Sequence, residues 1–345
     1  MTRSLVLAGG PLGSPYTHKV KSLLLYRRIP YQFAFVPAPG DAPEGFPKPP
    51  RPLFPCLYYP EADGTYRGTS DSTFQIRELE EHVPERSVIP TDPALAFLDS
   101  LLEDYADEWV TKMMFHYRWG VPENVEYASH ALPLGIPGAP DSLVAFFKKT
   151  FAPRQIDRLS GIVTGSIEVT GPMIEASYVR LLKILGRLLA KRSFVLGNRP
   201  SACDFALQGQ LVQLTRVEPT STQLAREIAP RVKVWVEVMD DLSGWRVEGD
   251  IGWVERDDVA ASLRDLFQEV GRTYAPFLVA NAEALEKGEE NMECQIDGQR
   301  YWQRAFPYQA KCLRWIREGY EELSSEDRAF VASVLSGTGT EVLLA

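Results

Sequence analysis

Two short polar segments at predicted helix starts are the residues most able to bind a small anion. Ser14 precedes Pro15, and this pair fits the cap and the first turn of a helix, where the missing N–H of proline costs nothing. Asp71 and Ser72 open a second predicted helix. Since the N-terminus of a helix carries partial positive charge, either segment can hold an anionic group. Taken alone, each segment is equally well interpreted as a plain helix cap.

Two further motifs have a recognisable local structure. Residues 53–57, Leu-Phe-Pro-Cys-Leu, place Pro55 directly before a predicted strand, which is an ordinary position for proline. Farther along the chain, Ser201 and Asp204 follow the glycine turn of residues 194–197. Their Ser-x-x-Asp spacing is that of a capping box, and the apolar residues after it predict a buried helix.

In this order, the four motifs resemble those of the glutathione transferase superfamily, of a serine type that is bacterial-like, with the class unassigned. The resemblance covers roughly residues 4–242. It implies an α/β thioredoxin-like N-terminal domain and an all-helical C-terminal domain, here followed by a helical extension. The family uses the capping box at Ser201 and Asp204 for folding and not for chemistry.

The resemblance also implies a role for each matching residue. Ser14 would stabilise the thiolate of glutathione. Phe54 and Pro55, in what resembles the family's cis-proline segment, would align its cysteinyl backbone, and Asp71 with Ser72 would hold its γ-glutamyl end. A hydroxyl at a helix N-terminus is suited to the first role, because it donates to the thiolate where the helix dipole also favours negative charge. Glutathione is then a co-substrate, and no metal is implied.

A cluster of methionine and aromatic residues at positions 113–119 lies at the end of a long predicted helix that starts near Leu95. In the family this helix lines the pocket for a small hydrophobic co-substrate, so the resemblance implies that Met113 and Tyr117 lie in that pocket. Polarizable methionine and aromatic rings suit a permissive site. The family expectation for assembly is a homodimer.

The pattern of elements predicts three parts. Residues 1–84 read as βαβ, a proline-rich loop and ββα, residues 93–244 as helices, and residues 245–345 as a mostly helical extension with one hairpin at Asp297-Gly298. Residues 120–151 are rich in Pro and Gly and are predicted to form loops and short turns. The extension lies beyond the usual end of the fold that the resemblance implies.

Composition excludes several other classes of function. The net charge of -9, without a concentrated basic stretch, disfavours nucleic acid and anionic membranes as partners. The four cysteines form no CxxC pair, and neither they nor the four histidines have metal-ligand spacing. The apolar run at residues 4–8 is too short for a signal peptide, and no run is long enough to span a membrane, so we expect a cytoplasmic protein.

Some positions depart from the family pattern. The proline-rich loop of residues 37–52 contains two candidate partners for the glycyl carboxylate of glutathione, Lys48 and Arg51. His18 and Lys19, which follow Ser14 by about one helical turn, would add positive potential or simply face solvent. Two alternatives to a transferase stay open: a non-catalytic scaffold or interaction protein, and a glutathione-dependent lyase or isomerase. An extension covering the pocket mouth would favour the scaffold, and an open cleft beside Ser14 would oppose it.

Overall fold

The N-terminal part of the chain forms a mixed four-stranded sheet. The computed structural model describes residues 4–10, 12–163, 165 and 167–345, so the first three residues of the predicted N-terminal domain lie outside the description. The order of strands is β2-β1-β3-β4, with β1 parallel to β2 and antiparallel to β3, which is antiparallel to β4. The elements are β1 (Leu5–Gly9), α1 (Pro15–Tyr26), β2 (Tyr31–Phe35), β3 (Cys56–Pro60), β4 (Tyr66–Ser70) and α2 (Ser72–His82).

The central position of β1 follows from its sequence. All five of its residues are buried, because a strand paired on both edges and covered on both faces needs apolar side chains throughout. Leu7 is paired with Leu57 of β3, and both are packed in the same core as Val20 of α1. The thioredoxin-like arrangement predicted for this part is confirmed.

The described residues of the next part are mostly helical. Its longest element runs from Pro93 to Gly120 with a π-helical turn at Ala106–Val110 in the middle, as the predicted helix from Leu95 to Trp119 requires. The α-helices are α3 (Pro93–Tyr105), α4 (Thr111–Gly120), α5 (Pro122–Leu134), α6 (Asp141–Phe146), α7 (Ala152–Arg158), α8 (Ile167–Leu188), α9 (Ala202–Val212), α10 (Pro219–Ile228) and α11 (Pro230–Met239).

One prediction for this part is wrong. Residues 120–151 are mostly helical, in α5, α6 and a π-helical turn at Phe147–Phe151, and not a set of loops. The prolines there lie near helix ends: Pro122 occupies the first turn of α5, where its lack of an N–H is harmless, Pro133 is in the last turn of α5, and Pro140 precedes α6. The same geometry explains α10, which the sequence reading missed: Pro219 stands at its start.

The extension forms four α-helices, a hairpin and a terminal 3₁₀ turn. The predicted hairpin is confirmed, with Asp297 at φ 54° and Gly298 at φ 72° between its strands, a pair of left-handed residues typical of a type I′ turn. The elements are α12 (Arg256–Glu269), α13 (Ala275–Glu286), β5 (Asn291–Ile296), β6 (Gln299–Arg304), α14 (Pro307–Glu321), α15 (Ser325–Leu335) and the 3₁₀ turn (Thr340–Leu344).

The extension is part of the main body of the protein. The largest hydrophobic core includes Leu24 of α1, Leu98 of α3 and Leu266 of α12, and therefore crosses both predicted domain boundaries. Those boundaries stay predictions. Among the described residues, no helix is both long and apolar enough to cross a membrane.

Candidate functional site

Ser14 caps α1 and faces a cavity. Its Oγ accepts hydrogen bonds from the backbone N–H of Thr17 at 3.2 Å and from the Thr17 hydroxyl at 2.9 Å. The side chain is 8% exposed, and the residue lines the cavity described below. A serine oxygen that accepts two bonds still has its own proton to donate. Ser14 can therefore cap the helix and also donate to a ligand, so the two interpretations of this residue are compatible.

The turn that carries Ser14 is fixed by the helical part of the chain. The buried guanidinium of Arg118, on α4, donates to the carbonyl oxygen of Gly13 at 2.7 Å. Arg118 is itself held by Glu218 at 2.5 Å and by the Gln213 side chain at 2.5 Å. The sequence reading missed Arg118, and nothing local to it identifies its partners, which are about a hundred residues away along the chain.

Helix α9 supports α1 by close backbone contact. A Cβ atom on Gly209 would lie 2.4 Å from the carbonyl oxygen of Pro15, so only glycine allows this approach. The capping box predicted at the start of α9 is present: the backbone N–H of Ser201 donates to Asp204 Oδ2 at 2.9 Å. Asp204 also accepts from the backbone of Val195 at 2.9 Å, and burial raises its pKa to about 7. The capping box thus serves the site indirectly, through the position of α9.

Residues 53–57, which precede and begin β3, also contribute to this site, since Phe54 lines the cavity. The peptide bond between Phe54 and Pro55 is cis, as the resemblance implies. The Gln75 side chain, on α2, donates to the carbonyl oxygen of Pro55 at 3.1 Å and to that of Thr69 at 2.8 Å. Gln75 is fully buried and fixes the start of β3 against the end of β4. It is a supporting residue that the sequence reading did not single out.

The cavity lies between the sheet and the helical part and has a volume of about 470 Å³. Ser14 and Phe54 line it from the N-terminal part of the chain, and its walls are mainly apolar. Phe306 and Gln309 of the extension complete the lining. Among the apolar and aromatic side chains that the helical part contributes are Met114, Phe115, Trp119, Leu132, Phe147 and Phe151.

The residues predicted for the hydrophobic pocket are not among those that line it. Met113 is fully buried in the main core, and Tyr117 packs edge-on against Tyr178 at 5.3 Å between ring centroids. Their neighbour Met114 lines the cavity instead. Successive residues of a helix point about 100° apart, so the composition of the cluster identified the helix but not the face.

Asp71 and Ser72 stand at the start of α2, as predicted, but a residue of the extension already contacts the Asp71 carboxylate. Asp71 has φ 86°, and its Oδ1 accepts from the backbone N–H of Thr73 at 3.3 Å. Its Oδ2 accepts from the hydroxyl of Tyr308, on α14, at 2.9 Å. Ser72 is buried. Neither Asp71 nor Ser72 belongs to the lining of the cavity that contains Ser14.

His18 and Lys19 do not supply positive potential beside Ser14. Burial lowers the pKa of His18 to about 4, so its ring is neutral at physiological pH. The Lys19 ammonium lies 2.8 Å from Glu103 Oε1 and 2.5 Å from Asp107 Oδ2, so these two carboxylates neutralise its charge. Lys48 and Arg51 are exposed and absent from the lining of the cavity.

Among the residues that the structure describes, no group of three or more His, Cys, Asp or Glu side chains is arranged to hold a metal ion. The described cysteines are all free thiols. Burial raises the pKa of Cys56, the cysteine beside Pro55, because a thiolate is poorly solvated there. The titratable groups that do face the cavity are Tyr16, Glu108, Lys112, Arg118 and Arg158.

Comparison with known proteins gives one consistent result. No family model and no curated relative matches the chain. Among solved structures, the glutathione S-transferase of Ceriporiopsis subvermispora, in complex with glutathione, is 20% identical, with a TM-score of 0.46 over 70% of this chain and 99% of that one. The likeness is to glutathione transferases.

Two further matches have similar values. A glutathione transferase family member from Pseudomonas fluorescens, with two glutathione molecules bound, is 16% identical, with a TM-score of 0.43 over 68% of this chain and 87% of that one. A β-etherase from a Sphingobium strain is 16% identical, with a TM-score of 0.44 over 69% and 95%. At these identities and scores the likeness assigns no activity to this chain.

Proposed function

We propose that the chain is a glutathione transferase-like enzyme that binds glutathione beside Ser14 and activates its thiolate for attack on a small hydrophobic electrophile. The observation that carries this proposal is the position of the Ser14 hydroxyl, at the N-terminus of α1 and on the wall of an apolar cavity. Phe54, whose peptide bond to Pro55 is cis, lines the same cavity.

The energy that thiol activation requires matches what this position can supply. Lowering the pKa of a thiol by about two units takes about 3 kcal/mol. A hydrogen bond to a charged acceptor contributes about 1.5–3 kcal/mol, and a helix N-terminus up to about 2 kcal/mol when it is partly buried. In the reaction the C–S bond forms as the bond to the leaving group breaks, and the thiol proton has already gone to solvent. The apolar walls position the electrophile.

Glutathione binding can be tested directly. Calorimetry at millimolar glutathione should detect binding by the wild type, and Ser14→Ala should raise the pKa of the bound thiol, followed by the ultraviolet absorbance of the thiolate. Ser333→Ala, on the exposed surface of α15, is the matched control and should change neither. An unchanged thiol pKa in Ser14→Ala would remove this residue from its role.

A separate experiment tests whether Asp71 and Ser72 hold the γ-glutamyl end of glutathione. The double variant Asp71→Ala/Ser72→Ala should weaken glutathione binding at least tenfold, because it removes the carboxylate and hydroxyl proposed to hold that end of the tripeptide. Full affinity in the double variant would show that glutathione does not use this segment.

A second function, that of a non-catalytic scaffold, is favoured by one specific contact, the hydrogen bond from Tyr308 to Asp71. The open cavity beside Ser14 opposes it. The two are separated by Tyr308→Phe, which frees the Asp71 carboxylate: absence of glutathione binding in both wild type and Tyr308→Phe would support the scaffold. A homodimer and a cytoplasmic location stay predictions from the sequence.

A further inference from the structure

One side of the cavity is polar, and the extension builds half of it. Four side chains form what we name the inner ring: Glu108, Lys112, Gln303 and Gln309. Lys112 Nζ donates to Gln303 Oε1 at 2.7 Å, Gln303 Nε2 to Gln309 Oε1 at 3.2 Å, and Gln309 Nε2 to Glu108 Oε2 at 3.1 Å. Glu108, Lys112 and Gln309 line the cavity.

The inner ring is held rigidly. Lys112 Nζ also donates to the carbonyl oxygen of Val163 at 2.7 Å, and the Tyr301 hydroxyl donates to Gln303 Oε1 at 3.0 Å. Lys112, Gln303 and Gln309 are all buried. Buried polar groups with fixed partners are oriented before any ligand binds, so they can select a ligand by the geometry of its polar groups.

Glu108 is the member of the inner ring best placed to meet a ligand. It is half-buried, it lines the cavity, and it sits on the π-helical turn of the long helix, where an extra residue displaces side chains from the regular helical positions. Thr111 and Tyr16 also line the cavity; the Tyr16 hydroxyl donates to the carbonyl oxygen of Asp107 at 2.9 Å and lies 3.4 Å from Thr111 Oγ1. This side of the cavity therefore offers a carboxyl group and two hydroxyls.

The charges around Glu108 select the kind of polar group that can approach. Burial and the neighbouring Asp104 raise the pKa of Glu108 to about 8, and burial lowers that of Lys112 to about 7. The pKa of Asp107, whose carboxylate is bonded to Lys19, is also raised by burial, to about 7. Glu108 is the carboxyl group that an anionic ligand would meet on this side, since Asp104 and Asp107 do not line the cavity. A neutral hydroxyl both donates and accepts, so it can bond to Glu108 in either protonation state.

The aromatic side chains of the lining indicate what kind of molecule the cavity can hold. Phe115, Trp119, Phe147 and Phe151 present aromatic rings to the cavity, and Phe306 of the extension adds another. Aromatic rings pack favourably against aromatic ligands in offset or edge-on geometry. We propose that the cavity binds an aromatic molecule bearing a neutral hydroxyl group, with the hydroxyl on the Glu108 carboxyl group and the ring between the aromatic walls.

This inference names the class of co-substrate for the proposed function, and it rests on that function only in calling the molecule a co-substrate. Binding itself can be measured on the full chain without glutathione. Calorimetry with 2-naphthol, 2-methylnaphthalene and 2-naphthoate compares one ring system with a hydroxyl, a methyl and a carboxylate. We expect 2-naphthol to bind at least about tenfold more tightly than either analogue, since a site built to hydrogen-bond a hydroxyl rejects the ligand that lacks it.

Two variants test whether the inner ring is responsible. Glu108→Met and Gln309→Leu should each bring the affinity for 2-naphthol to within about twofold of that for 2-methylnaphthalene. Gln155→Leu, which alters the same lining outside the inner ring, is the matched control and should keep the preference. Circular dichroism checks that each variant is folded.

Several outcomes would overturn the inference. Equal binding of 2-naphthol and 2-methylnaphthalene by the wild type would do so, as would a preserved preference in folded Glu108→Met and Gln309→Leu. Tightest binding of 2-naphthoate would assign the polar side to an anion instead. A chain that binds 2-naphthol but not glutathione would contradict the proposed function and leave this inference intact.

Discussion

The starts of α1 and α2 carry similar sequence signals but have different surroundings. Ser14 is reached by Thr17 of its own helix and by Arg118 through the neighbouring Gly13, and its hydroxyl faces the cavity. The Asp71 carboxylate accepts a hydrogen bond from Tyr308, which is 237 positions away along the chain, and Asp71 lies outside the lining of the cavity. A capping residue is thus made available or unavailable to a ligand by its tertiary partners, and not by its own helix.

The Ser14 segment should be costly to disturb. Replacing Arg118 by Met leaves the Glu218 carboxylate buried without its cation, so we expect a loss of about 3–5 kcal/mol in the free energy of unfolding. Urea denaturation measures this. Arg226→Met, on the exposed side of α10, should change stability by less than about 0.5 kcal/mol. A similar small change in Arg118→Met would mean that the turn before Ser14 is not held from the helical part.

The contact between α1 and α9 gives a second comparison, with an opposite sign in its control. Gly209→Ala should destabilise by about 1–3 kcal/mol, because the new Cβ would lie 2.4 Å from the Pro15 carbonyl oxygen. In Gly186→Ala the nearest atom to the new Cβ is 3.7 Å away, so the better helix propensity of alanine should stabilise by about 0.5–1 kcal/mol. Thermal unfolding of the two variants measures both effects, and equal shifts would contradict close packing at Gly209.

The Asp71 segment should respond in ligand affinity more than in stability. Tyr308→Phe removes one hydrogen bond, about 1 kcal/mol, that competes with a ligand for the carboxylate. We expect glutathione to bind about fivefold more tightly, by calorimetry, while Tyr320→Phe, whose hydroxyl bonds to the carbonyl of Arg328, leaves the affinity unchanged. Unchanged affinity in Tyr308→Phe would mean that glutathione does not use Asp71.

The sequence predicted what is decided locally. The hairpin turn at Asp297-Gly298 and the capping box at Ser201 each depend on a few adjacent residues, and each is present, whereas the cis bond before Pro55 was implied only by the family resemblance. The contacts that position the site are of another kind. Arg118 reaches Glu218 and Gln213, and nothing in the residues around Arg118 identifies those partners.

The pocket illustrates the same limit. The family resemblance implied a hydrophobic pocket on the long helix, at a cluster rich in Met and aromatic residues, and residues of that helix line the cavity. Which face of the helix lines it depends on helical phase, and the π-helical turn at Ala106–Val110 shifts that phase before the cluster begins. Met114 consequently faces the cavity while Met113 is in the core.

The shared core has a consequence for how the chain folds. Because apolar residues of α3, α12 and α14, such as Leu98, Leu266 and Leu313, belong to one continuous core, the last hundred residues cannot separate without exposing apolar surface on both sides. We therefore expect one cooperative unfolding transition for the whole chain rather than successive melting of parts. A truncation after residue 245 should yield an aggregation-prone product, so the extension behaves as an obligatory folding partner of the rest of the protein.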